Sequence, residues 1–372
     1  MIQVAARQNY DINGLIKEIA QPNVKVVIFF FSVEYERFEP HKAIKQAFPQ
    51  ATCIASSMIG GWAPAMAVEK GIIAMSLSSD EVADVFVSFK EGVKSTPDKA
   101  AHQAIEELKN KLGYRKVNPH AYLGIVLFDG LCRGDDIMQA LTLESTLNMP
   151  FVGGAAADEL AFAKTLVGLD EKISDDGLVL LIMKMNIPFY CDHFVHYTPR
   201  HTAMMVTKVE PKRRIIWEFN NEPAAQYYAK LAGITRIDQL NTTVFESNPL
   251  GVSSGGLLYC RAIHSVIDGT GLVCFASVTM GTVVHMLKAG DIIAHTQSAL
   301  QKVKRYIPDL QGVILFNCVL RLLEMQRLNK IDTFRNIFSG LRFIGFNTYG
   351  EELFVHHNQT LTAVFFGGGR GD

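Results

Sequence analysis

Three stretches of this chain repeat one structural phrase: an apolar strand, a helical stretch, a second strand ending in small residues or glycine, and another apolar strand. The copies run over 26–31, 54–61 and 71–75; over 123–128, 151–154 and 177–181; and over 313–316, 343–351 and 360–365. Ile28 to Ile54, Val126 to Val152 and Leu315 to Ile344 are separations of 26, 26 and 29 residues, the span of a β-α-β unit. A solenoid would show a shorter, fixed period. The repetition therefore points to old duplication within a compact fold, with glycine-bearing strand ends offering loops to a ligand.

Copies of this kind need a large core. At 372 residues the chain exceeds what one core usually serves, and 48% hydrophobic against 20% charged residues is enough apolar material for buried sheets. A formal net charge of −1 provides no global field for a phosphate backbone, so nucleic acid is not expected as a partner. The amino terminus does not read as a secretory signal, and the longest apolar runs, 26–31 and 178–183, fall far short of a bilayer span. The six cysteines, at 53, 132, 191, 260, 274 and 318, form no Cys-x-x-Cys pair. That pattern argues against a zinc site or disulfide framework and suits a reducing cytoplasm.

Strands and helices alternate through the first half. Strands are predicted over 24–31, 51–56, 68–78 and 82–89, the last two as a hairpin, and helices from Pro97, capped by Thr96, to Gly113 and over 135–148. From 177 to 219 the pattern turns almost wholly to strand, which a purely parallel sheet does not contain. The expectation is a layered α/β protein with mixed sheets, built from repeated β-α-β-β-like units in two lobes, 1–200 and 215–366, followed by a flexible tail over 367–372.

Several short phrases carry a resemblance. Val206-Thr207, Asn220-Asn221-Glu222-Pro223-Ala224, Pro249-Leu250-Gly251, Asn317-Cys318-Val319-Leu320-Arg321, Gly345-Phe346-Asn347-Thr348-Tyr349-Gly350-Glu351 and Asn358-Gln359-Thr360 follow in the order of the signatures of FIST proteins. In the first half, Ala55-Ser56-Ser57-Met58-Ile59-Gly60 is similar to a loop where that family tends toward Gly-Cys-Ser-Thr-x-Gly, and Val152-Gly153-Gly154 through Asp158 is similar as well. The resemblance implies paired FIST N-like and C-like domains and a small-ligand sensor. It implies output through a separate protein such as a histidine kinase, a chemoreceptor or a cyclic-dinucleotide enzyme. Haem-based nitric oxide sensing and amino-acid-like ligands are both within what it implies. Ser56 and Met58 depart from the family's Cys and Thr, removing polar or nucleophilic groups from the first loop.

On the residues themselves, Cys318 ends a buried strand and starts a helix, where a helix dipole favours thiolate, and Arg321 one turn later offers a forked donor set to a carboxylate. The plain alternative makes Cys318 a small core residue and Arg321 an ion-pair partner of Glu324 or Glu351. Arg321 with Glu351 is the preferred pair. Thr348 and Glu351 on the loop after the third copy's second strand, Ser57 in the first loop, and Asp158 after Gly153-Gly154 complete the candidate ligand contacts; a turn-capping role is the alternative for Asp158. His193 and His196, three apart on a strand, point to opposite faces, and His264, His285, His356 and His357 lack metal-ligand spacing. Any of these can still serve as a single axial haem ligand. A hydrolase using Cys318 with His356 or His357 is the enzyme alternative, and an adaptor without a pocket is the third class.

Overall fold

The computed structural model describes residues 2–114, 116–254 and 257–368. The threefold phrase is its organising feature, and each copy is larger than the sequence pattern marked. The first unit runs β1 (Gln3–Arg7), α1 (Ile12–Ile19), β2 (Val24–Phe31), α2 (Pro40–Ala47), β3 (Thr52–Ser57), a hairpin of β4 (Gly61–Ala63) and β5 (Met66–Val68), and β6 (Ile72–Ser78). The second follows the same order: β7 (Val82–Glu91), α3 (Pro97–Lys111), β8 (Tyr122–Phe128), α4 (Gly134–Leu143), β9 (Phe151–Ala155), hairpin β10 (Val167–Leu169) and β11 (Lys172–Ser174), and β12 (Gly177–Met185).

The third unit opens with β13 (Phe189–Phe194) and is then interrupted. The interruption holds β14 (Tyr197–Glu210), β15 (Ile215–Phe219), the two-residue β16 (Glu222–Pro223), α5 (Ala224–Ala232) and α6 (Thr242–Ser247). It continues with β17 (Leu250–Ser254), β18 (Leu257–Arg261), β19 (Ile263–Ile267), β20 (Gly271–Cys274) and β21 (Val283–Ala289). The unit then resumes with α7 (Ile292–Tyr306), β22 (Leu310–Cys318), α8 (Val319–Arg327), α9 (Ile331–Ile337), β23 (Arg342–Thr348), hairpin β24 (Glu351–Leu353) and β25 (Val355–His357), and β26 (Leu361–Gly367).

Three six-stranded sheets share one pattern, with strand orders β1-β6-β2-β3-β10-β11, β7-β12-β8-β9-β24-β25 and β13-β26-β22-β23-β4-β5. In each, the unit supplies four strands and the hairpin comes from a neighbouring unit. The hairpin of unit 1 extends the sheet of unit 3, that of unit 2 extends unit 1, and that of unit 3 extends unit 2. The interruption forms a fourth, eight-stranded antiparallel sheet.

The central strands are apolar on both faces because both faces are covered. Val26, Ile28 and Phe30 of β2, Leu123, Ile125 and Leu127 of β8, and Ile314 and Phe316 of β22 meet in one central core. There the rings of Phe30 and Phe346 stack at 4.0 Å, and Phe316 meets Phe346 edge-on at 5.6 Å. The alternate residues face outward onto helices: Val27, Phe29 and Phe31 in unit 1, Val126 and Phe128 in unit 2, Val313 and Leu315 in unit 3. Local chemistry sets the helix starts. Asp291 caps α7 by accepting N–H bonds from Ile293 at 2.8 Å and Ala294 at 2.9 Å, and Pro97 opens α3.

Several expectations are corrected. The strands either side of Ser79 do not form a hairpin: β6 pairs β1 and β2, whereas β7 pairs β12 in the next sheet, so the chain crosses between units there. The 135–148 helix ends at Leu143, and Thr96 makes no side-chain cap. Residue 200 is no boundary between sheets, because β13, β4 and β5 complete a sheet of the carboxy-terminal half while β24 and β25 complete one of the amino-terminal half. The body that stands apart is the inserted sheet. Gly367 ends β26 and the N–H of Gly368 donates to Asp309 at 2.8 Å, so these two residues of the expected flexible tail are part of the fold; the rest of it, residues 369–372, lies outside the described residues. Among the described residues no helix is long and apolar enough to cross a membrane.

Candidate ligand-binding site

The strand ends of units 2 and 3 face the inserted sheet across a cavity of ≈ 480 Å³. Phe128, Gly130 and Cys132 reach it from the end of β8, and Leu160 and Phe162 from the loop after β9. Val319, Leu320 and Leu323 come from α8, and Tyr349, His356, Asn358 and Gln359 from the segments flanking the third hairpin. The inserted sheet supplies the opposite wall with Arg214, Phe245, Glu246, His264 and Phe275. An apolar enclosure with a few converging polar groups, placed where two bodies meet, is the usual form of a small-molecule site.

The polar groups differ in how they are satisfied. Arg214 is held across the cleft by Asp135, its Nε donating at 2.9 Å and its Nη2 lying 2.8 Å from the same carboxylate oxygen. His356 Nδ1 lies 2.6 Å from Glu352 Oε1. Burial pushes the Glu352 carboxyl well up and brings the His356 imidazole down to about 4, so the pair is held as neutral acid and neutral imidazole. The side-chain amide of Gln359 donates to the Tyr197 hydroxyl at 3.0 Å and the Glu246 carbonyl at 3.1 Å, which fixes its oxygen as the other end. That oxygen, Oε1, and Asn358 Oδ1 are both buried without a partner.

The residues expected from sequence sort into two groups, neither lining the cavity. Cys318, Arg321, Thr348 and Glu351 gather at the β22 and β23 ends, all at most 1% exposed. The Arg321–Glu351 ion pair is not formed. Arg321 donates through Nε to Asn317 Oδ1 at 3.0 Å and through Nη1 to His196 Nδ1 at 2.8 Å, with Thr296 Oγ1 at 3.4 Å from Nη2. Glu351 instead accepts from Thr360, and its carboxyl is pushed up to about 7 by burial. Cys318 is the N-cap of α8, yet burial and the neighbouring Glu351 carry its thiol well above the ordinary value. Desolvation here works against the thiolate that the helix end would favour. Thr348 closes a local turn, donating to Gly350 O at 2.6 Å and accepting Gly350 N–H at 3.0 Å.

Ser57 and Asp158 join units. Ser57 accepts the Leu166 N–H on its hydroxyl at 2.9 Å, tying β3 to the second unit. Asp158 accepts N–H bonds from Phe162, Ala163 and Lys164 at 2.9, 2.8 and 3.0 Å and the hydroxyl proton of Tyr349. The loop it anchors places Phe162 against Tyr349, rings 4.6 Å apart and 13° from parallel, at the cavity wall. Asp158 thus shapes the site from behind.

Two features of the wall had a trace in the sequence. Asn358-Gln359-Thr360 stood among the resembling phrases, and His356 and His264 were noted as single histidines. Apart from His264 the opposite wall had none, since Arg214 meets Asp135 across 79 positions of chain. The glycines near the strand ends mostly admit other chain rather than ligand. A Cβ on Gly153 would lie 1.8 Å from Val126 O, and one on Gly61 2.3 Å from Gly345 O. Among the described residues no group of three or more His, Cys, Asp or Glu could hold a metal ion.

No curated protein matches the chain. Among solved structures, one titled as a chorismatase crystal structure matches over 98% of this chain and 97% of its own, at 9% identity and a TM-score of 0.35, a level that carries nothing about function. The family models are specific: FIST N domain matches residues 25–222 and FIST C domain residues 224–353. With nearly the whole chain covered in order, the protein belongs to the FIST family, whose domains are associated with sensory signal transduction and small-ligand binding.

Proposed function

We propose that this protein is a small-ligand sensor that binds, in the cavity between its threefold core and the inserted sheet, a compact apolar molecule bearing an N–H or ammonium donor, and passes the signal to a separate partner protein. The observation that carries this reading is the pair of buried, unpartnered acceptors on the cavity wall, Asn358 Oδ1 and Gln359 Oε1. Leaving a buried acceptor unpaired costs about 1–3 kcal/mol, and a ligand donor recovers it. Glu246 beside them adds a carboxyl whose ionisation burial disfavours, so a cation there gains a partner. Phe128, Phe162, Phe245 and Phe275 supply the apolar body of the site. An amino-acid-like molecule with a hydrophobic side chain has this shape of chemistry.

The alternatives have less to rest on. Haem carries two propionates with no ammonium group of its own to offset them, unlike the zwitterion of an amino acid, and Arg214, the arginine on the wall, is already neutralised by Asp135. The residues do not fit that group. A hydrolase using Cys318 would need an ionisable thiol facing substrate, whereas this thiol is buried, does not line the cavity and has its pKa raised by burial and the neighbouring Glu351. Binding without covalent chemistry is therefore the reading kept.

The test is thermal unfolding against three sets of probes: apolar amino acids, the amines derived from them, and the matching acids without an amino group. A ligand of the native state raises Tm. The amine-bearing sets should raise it and the acids should not, and Asn358→Leu should keep the unliganded Tm while abolishing the shift. Stabilisation by the acids alone, or an unchanged shift in the variant, overturns the reading.

A further inference from the structure

The inserted sheet joins the core through two chain crossings, Val195-His196 between β13 and β14 and Gly290-Asp291 between β21 and α7, and the crossings are bonded to each other by Gly290 N–H donating to His196 O at 2.7 Å. At this joint sits a buried cation with an unusual partner. Arg321 is 1% exposed, and among the described residues none of its hydrogen bonds goes to a carboxylate; its acceptors are Asn317, Thr296 and the imidazole of His196. A guanidinium has no lone pair to offer, so His196 Nδ1 must be the acceptor. The ring is therefore the tautomer protonated on Nε2, and that N–H donates to Glu324 Oε2 at 2.8 Å.

One neutral imidazole thus bridges a buried arginine to a buried glutamate. The same Glu324 oxygen lies 3.4 Å from the Tyr197 hydroxyl, which receives the Gln359 amide N–H from the cavity wall. The titratable and charged groups facing His196 are Arg321 and Glu324 on α8, Tyr197 next in the chain with its ring 4.1 Å away, and His295 on α7. A second proton on His196 would set an N–H against the Arg321 N–H with no acceptor between them, at the one joint where the inserted sheet turns.

We propose that His196 is a proton-sensitive latch: neutral, it locks the inserted sheet down over the cavity through Arg321 and Glu324, and protonated, it releases the joint. The inference rests on the cavity as the ligand site only for its purpose, not for its geometry. Burial and Arg321 hold the imidazole below its ordinary range while Glu324 draws it back. The docked state is accordingly fully favoured above pH about 6.5 and loses that advantage as pH falls toward the lowered native value.

The experiment is hydrogen exchange on the full chain without ligand, corrected for intrinsic rates, across that pH range. Protection of amides at 195–197 and 289–291 should fall by about tenfold for each pH unit between about 6.5 and the lowered native value and then level off, while the three core sheets stay protected. His196→Gln, which keeps an acceptor for Arg321 and a donor for Glu324 but does not titrate, should hold the crossings closed. Should that variant fail to fold, Glu324→Gln serves: without the carboxylate that attracts the second proton the native value drops further, so the loss of protection should continue to lower pH before it levels off. Identical opening in His196→Gln, an unmoved levelling-off pH in Glu324→Gln, or crossings that open only with global unfolding overturns the latch. Because no ligand is present, such a failure leaves the thermal-shift result standing, and the reverse holds equally.

Discussion

Glu351 receives both the backbone N–H and the hydroxyl of Thr360 on one carboxylate oxygen, at 2.8 and 2.7 Å, while its other oxygen is buried without a partner. Two donors are not enough to keep the charge comfortable, and the carboxyl is pushed up to about 7. The folded state then holds this proton more tightly than the unfolded chain, so stability from this group is present at low pH and lost as pH rises from about 4.5 through about 7. Glu351→Gln should remove that loss, up to about 3 kcal/mol. Urea denaturation at pH about 5 and about 8 should show wild type losing more stability than the variant over that interval; parallel behaviour would place the proton elsewhere.

Asp158 organises a loop and not a ligand. Asp158→Ala strands three N–H groups and the Tyr349 hydroxyl, which should cost about 2–3 kcal/mol and expose 158–164 to protease ahead of global unfolding. The carboxylate is held below its ordinary range by these donors against the pull of burial, so its contribution should persist at neutral pH and disappear as pH falls below about 4. A variant with unchanged proteolysis would show that Phe162 stacked on Tyr349 suffices to hold the loop.

The cysteine at the start of α8 should be inert. Alkylation of native protein with iodoacetamide should modify Cys318 only at the rate of global unfolding, because its thiol is buried and its pKa raised. Rapid labelling in the native state, slowed by a cavity ligand, would revive the hydrolase.

Gly153 has its place for a steric reason. Gly153→Ala puts a methyl 1.8 Å from Val126 O, inside the parallel β8–β9 ladder, and should lower stability by about 3 kcal/mol or more. Thermal unfolding decides this; a loss below about 1 kcal/mol would mean the ladder shifts to make room.

How far the sequence led can be seen in the repeat markers. Ile28 and Ile54 are partners in the β2–β3 ladder, while Val126 and Leu315 pair one residue beyond their markers, with Gly153 and Gly345. Runs of apolar residues betray central strands because burial on both faces leaves no alternative. The short hairpins of the first two units left no such mark for the converse reason: three-residue strands such as β4 and β10 take their stability from edges contributed by distant chain, and no local pattern records the partner. The same holds for the site. Asn358 and Gln359 stood in a visible phrase, but what makes them functional candidates is the wall opposite, brought there by the insertion. Cys318 and Arg321 were drawn from a correct strand-to-helix junction; only burial, invisible in the sequence, turned a reactive pair into structural ones.

The cyclic loan of hairpins has a consequence for biosynthesis. Gly153 pairs with Glu352, and Gly61 with Phe346, so the sheet of unit 2 stays one hairpin short, and the hairpin of unit 1 stays without its sheet, until residues 342–357 have left the ribosome. The nascent first half carries an open β9 edge throughout, a surface prone to pairing with other chains. Cutting the chain between the two family-level domains would make that transient state permanent for both pieces. In strand pairing the two family-level domains are interleaved, joined by β23 and β24.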